Sequence, residues 1–114
     1  SAGKKLQLML VWQAVGLVEK DYTVFVHVVD ADGRLWAQWD NPPLAGTYPT
    51  GQWSVGELVF DQYTIPLGEQ MPRGSYGVLV GLYEPVSGVR LAVVDDAGHI
   101  VGDSVRLHKT FTVQ

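Results

Sequence analysis

The chain has 114 residues, 12 acidic against 8 basic side chains, a net charge of −4 and no cysteine. That length suits one domain, residues 1–114, and 46% hydrophobic residues supply a core, which excludes disorder as a global description. A pI near 5.1 argues against nucleic-acid and anionic-membrane partners, and the missing thiols exclude disulfides, thiolate zinc sites and cysteine nucleophiles.

Thirteen glycines and six prolines are scattered along the chain and leave few windows long enough for a helix. Leu6, Leu8, Leu10 and Trp12 alternate in a first strand. The longest window free of glycine and proline, residues 17–32, is rich in β-branched and aromatic side chains, which pack better on a pleated surface than on a helix. There Tyr22, Val24, Val26 and Val28 form one face of a second strand, with Thr23, Phe25, His27 and Val29 on the other. Asp30 to Gly33 supply tight-turn chemistry, and Leu35, Ala37 and Trp39 alternate in a third strand. Residues 40–53 hold three prolines and two glycines, which forbid regular structure; their Trp and Tyr imply a loop packed down on the body.

A strand over 57–65 is stopped by Pro66, and a second loop covers 67–74. Tyr76, Val78, Val80 and Leu82 alternate next, and Gly77 and Gly81 opposite them leave room for a neighbouring ring or backbone. Residues 93–100 nearly copy residues 28–35, which reads as a second use of one hairpin turn. Val105, Leu107, Phe111 and Val113 form one closing strand, interrupted at Lys109, whose stem covers apolar surface. About eight short strands at roughly 8–12-residue spacing predict an all-β fold, an antiparallel β-sandwich of immunoglobulin-like or jelly-roll type.

Catalytic chemistry finds little footing. Ser54, Ser75 and Ser104 lack a nucleophile-elbow context, and His27, His99 and His108 lie on different predicted strands. Asp30, Asp32, Asp95, Asp96 and Asp103 lack calcium-loop spacing and read as turn formers; the histidines lack zinc spacing. The glycine-rich run 74–81 alternates like a strand and lacks the Lys-Ser/Thr ending of a phosphate loop. A glycosidase would have to rest on a carboxylate pair such as Asp40 and Asp61. The expectation is a non-enzyme with no catalytic residue, no metal and no cofactor.

Carbohydrate is the ligand class the residues suit best. Trp36, Gln38, Asp40 and Asn41 share one strand edge, and Tyr48, Trp53 and Asp61 complete the candidate ligand-binding set. The favoured alternative is that the rings fill the core and pin the long loop, with Asp40, Trp53 and Asp61 as its anchors. His27 reads as a half-buried histidine bonded to a neighbour such as Gln38 or Asp61, rather than as a proton carrier.

The order of short motifs carries a resemblance. It runs from Asp21 to His27, through Asp32-Gly33, Ala37-Gln38 and Asp40, and Pro42-Pro43. It continues through Tyr48-Pro49-Thr50 with Trp53, Gly56-Glu57 with Asp61 and Tyr63, Pro72 with Gly74 and Tyr76, and Gly81-Leu82-Tyr83 leading to Arg90-Leu91. Over roughly residues 20–92 this resembles a C-terminal extracytoplasmic domain of bacterial multi-spanning membrane proteins, similar to glycosyltransferases of the dolichyl-phosphate-mannose mannosyltransferase type. The resemblance implies a location outside the cytoplasmic membrane and a sugar-related accessory task, and it transfers no catalytic residue. The start at Ser1-Ala2-Gly3 rather than Met reads as a piece of a larger protein. No apolar run approaches the ~20 residues of a membrane span, so this piece is not expected to insert itself. Two functions are expected: a module that binds or positions carbohydrate or lipid-linked sugar, or a structural domain packing on its own membrane region or a partner.

Overall fold

The computed structural model describes residues 4–114. Nine strands form among them: β1 (Lys5–Gln13), β2 (Thr23–Val29), β3 (Leu35–Asn41), β4 (Leu58–Pro66), β5 (Gly74–Tyr83), β6 (Val93–Val94), β7 (Ile100–Gly102), β8 (Val105–Arg106) and β9 (Phe111–Val113). Every ladder is antiparallel. β1 and β4 pair along their whole length, from Lys5 with Pro66 to Gln13 with Leu58, and make one layer. The other layer runs β3-β2-β5, with β8 and β9 both added to the free edge of β5. The chain crosses between layers at 14–22, 42–57 and 67–73, so it is an antiparallel β-sandwich in which only β2–β3 and β6–β7, among the described residues, pair as sequence neighbours.

Strand alternation builds the core. Leu10, Tyr63 and Ile65 from one layer meet Val24, Val26, Val78 and Val80 from the other. Each such side chain contributes roughly 1.5–3 kcal/mol through burial. β2 is buried on both faces apart from the half-buried His27. Its inner face meets the β1–β4 layer, and its outer Phe25 is covered by Arg90. The predicted role of the small residues on β5 holds at Gly81, which meets a ring, whereas Gly77 meets a flexible side-chain end. A Cβ on Gly81 would collide with the Phe25 ring, and one on Gly77 with the Arg106 guanidinium.

The two copied turns adopt the same geometry. Asp30 Oδ1 accepts the amides of Asp32 and Arg34, each at 2.9 Å; Asp95 Oδ1 accepts those of Ala97 and His99, each at 2.9 Å. Each turn ends on a glycine, Gly33 or Gly98, at φ +84. These aspartates therefore make turns, as their chemistry predicts.

Three features depart from the sequence reading. A register shift between Val28 and Val29 leaves Trp36 as the extra residue on β3, where it packs against Val28, Met71 and Tyr76 while Leu35 is exposed. The single closing strand is two, β8 and β9, because residues 108–110 leave the ladder around Lys109, while the Leu107 amide still donates to the Val78 carbonyl at 2.9 Å. The long loop contains two short 3₁₀ turns, Pro43–Gly46 and Thr50–Gln52.

Candidate functional site

Asp61 sits at an inward position of β4 and is only 1% exposed. Burying a carboxylate is costly unless its oxygens are satisfied, and here they are. Oδ2 accepts the Tyr63 hydroxyl at 2.6 Å and the Trp12 indole N–H at 3.4 Å; Oδ1 accepts the Leu44 amide at 3.0 Å. Burial, then the Asp61 bond, pushes the Tyr63 hydroxyl far above the usual phenol range. The Leu44 bond holds the long loop where Leu44 and Ala45 both take left-handed φ, 53 and 54, a costly conformation for residues with a Cβ. Trp53 is buried and lies 6.5 Å from Trp12, ring centre to ring centre, with its indole N–H on the Tyr48 carbonyl at 3.0 Å. Asp61 and Trp53 thus anchor the loop. Two further anchors, missed from sequence, are Thr50 and Asp21. Buried Thr50 Oγ1 accepts the Tyr22 amide and donates to the Lys20 carbonyl, and Asp21 accepts the Gly51 amide.

The seven predicted ligand residues do not meet in one site. Trp36 is turned to the Met71 cluster by the bulge; its indole N–H donates to Asp30 at 2.8 Å, and the Arg34 guanidinium lies 4.6 Å over its ring. That indole bond is the main reason Asp30 stays below the ordinary carboxylate range. Tyr48 donates to Glu57 at 2.6 Å, which raises the phenol and lowers the carboxyl. Asn41 and Asp61 line a small groove with Trp39 and Gln62 where β3 passes β4. Gln38 and Asp40 face the opposite way because the pleat alternates. Asp40 is therefore not a loop anchor as expected: it accepts the Tyr83 hydroxyl at 3.0 Å.

Asp40 opens onto a basin of about 200 Å³ on the outer face of β2, β3 and β5, lined by Phe25, His27, Asp40, Tyr83, Gly88 and Arg90. Phe25 is its floor, with the His27 ring 5.0 Å and the Tyr83 ring 6.4 Å away and the Arg90 guanidinium 4.3 Å over it. Arg90 also reaches Asp103 at 3.3 Å. His27 is in register with Gln38, but its close contact is Phe25, and Asp61 is committed to its partners between the layers. Burial first, then the Arg90 charge, lowers the His27 pKa, and Asp40 opposes them. The imidazole is thus neutral at pH 7 and offers one donor and one acceptor. Burial first, then the Asp40 bond, raises the Tyr83 hydroxyl.

Two apolar features complete the surface. A cleft of about 500 Å³ lies under the 14–22 crossover, bordered by Trp12, Trp53, Val18, Leu82 and Leu91. On the outer face of β1–β4, Met9, Val11, Leu58 and Phe60 are each half exposed or more, and the register sets Val11 directly against Phe60. Among the described residues, no helix is long and apolar enough to cross a membrane. Comparison with protein-family models, curated proteins and solved structures gave no match.

Proposed function

We propose that this chain is a non-catalytic accessory domain on the extracytoplasmic side of a bacterial membrane protein, held in place by packing the outer β1–β4 face on the membrane region of its parent. The exposed apolar diagonal of Met9, Val11, Phe60 and Leu58, centred on the Val11–Phe60 pair and flanked by Gln13 and Gln62, carries this reading. Single exposed apolar residues are ordinary, whereas a contiguous flat group on one sheet face marks an interaction surface. Its aromatic and methionine content suits an interface core, and a net charge of −4 disfavours docking on anionic lipid instead. The motif resemblance supplies the parent and the compartment. The glycosidase alternative loses support because Asp61 is enclosed and bonded to three donors. A sugar site built on Trp36, Tyr48 and Trp53 loses support because the polar tip of each is bonded within the protein.

A photoreactive phenylalanine analogue at position 60 of the full-length parent tests the docking. The expected result is a crosslink within the parent chain, lost when Val11→Lys is added. Crosslinking to lipid alone, or none at all, sinks the reading.

A further inference from the structure

We infer that the basin on the outer face of β2, β3 and β5 binds one neutral sugar ring, gripping a pair of adjacent hydroxyls between Asp40, His27 and Arg90. Four chain segments each deliver polar groups to this spot: His27 from β2, Asp40 from β3, Tyr83 from the end of β5, and Arg90 from the segment bridged back to Tyr83. Its volume of about 200 Å³ suits a single pyranose and not an oligosaccharide.

The donor and acceptor set matches hydroxyls. A sugar hydroxyl both donates and accepts, so it needs groups of both kinds. The Asp40 carboxylate holds the Tyr83 hydroxyl through Oδ2 and keeps lone pairs for further donors. The Arg90 guanidinium has five N–H donors in a rigid fork, and one nitrogen reaches Asp103 at 3.3 Å. Its place 4.3 Å over the Phe25 ring helps hold that fork in position. Neutral His27 adds one more donor and one more acceptor.

The basin carries one charge of each sign, so it favours neither ionic class: Asp40 repels a carboxylate or phosphate that Arg90 attracts, and Arg90 repels an ammonium group that Asp40 attracts. The floor is rigid, because Phe25 is 1% exposed and lies over Gly81, where any side chain would displace it. The basin is on the sandwich face opposite the apolar diagonal of β1–β4, so a domain docked through β1–β4 turns it to solvent.

An NMR titration of this chain with methyl glycosides of mannose, glucose and galactose tests the inference, with glucuronate and glucosamine as charged controls. At least one neutral glycoside should produce saturable shifts of the His27 ring and Arg90 side-chain signals at millimolar concentration. Asp40→Asn, which keeps an oxygen for Tyr83, and Arg90→Gln should each weaken binding about tenfold or more. Trp39→Ala, in the groove beside β4, should leave it unchanged. The inference is overturned by the absence of saturable shifts with neutral glycosides, by binding of the charged sugars alone, or by shifts centred on Trp39 and lost in Trp39→Ala. If Arg90→Gln fails to fold, Asp40→Asn decides, and unchanged affinity in that variant overturns the assignment.

Discussion

Replacing Asp61 by Ala strands three donors at once: the Tyr63 hydroxyl, the Trp12 indole N–H and the Leu44 amide. Unpaired buried donors cost about 1–3 kcal/mol each, and relaxation lets some of them find water. Asp61→Ala should therefore destabilise the fold by about 2–4 kcal/mol, a fall in Tm of roughly 10–20 °C by thermal denaturation. Asp61→Asn should cost less, because it keeps an acceptor at one oxygen position. An unchanged Tm in Asp61→Ala would falsify the anchoring role. This role was legible in the sequence because the long loop leaves backbone amides in need of acceptors and Asp61 is a carboxylate near its end; its inward place between Val59, Tyr63 and Ile65 is given by the structure. The left-handed pair Leu44 and Ala45 was not legible, because neither residue prefers that conformation and the bond from Asp61 supports it.

Elements follow the sequence wherever their cause is local. The Asp-to-Gly turns at 30–33 and 95–98 and the boundary at Pro66 rest on residues adjacent in the chain. The bulge at Trp36 depends on the cross-strand register of the β2–β3 hairpin, and the split of the closing strand on register with distant β5; periodicity contains neither. The basin was hidden for the same reason, since its four contributors are joined only by topology. Gly81 is an intermediate case: the need for a close approach was readable, and the approaching ring, Phe25, was not. Gly81→Ala should force the Phe25 ring from its site and destabilise the protein by about 1–3 kcal/mol, the usual range for overpacking. Denaturant unfolding checks this, and a neutral result would mean the ring moves freely. The contrasting Gly16→Ala meets no atom within 4 Å and should cost little.

Across the whole molecule the two layers are unequally built. β2 is hydrogen-bonded on both sides, by β3 and β5, and packed on both faces. β1 and β4 pair only with each other among the described residues, so each keeps an open edge. Among the described residues the β6–β7 hairpin pairs only with itself, and it is largely exposed. Native-state hydrogen exchange should therefore form a gradient. Amides of β2 and its β5 partners exchange slowest. β1 and β4 alternate between ladder amides that are protected and edge amides that exchange quickly. The β6–β7 amides exchange fastest. Protection of β6–β7 equal to that of β2 would contradict this ranking. The same measurement on the full-length parent that the proposed function assigns to this chain bears on both faces together. Docking through the apolar face of β1–β4 should raise protection along β1 and β4 and leave the basin segments of β3 and residues 84–90 as they are in the isolated chain. Added protection at the basin instead would mean that the parent covers the face assigned to sugar.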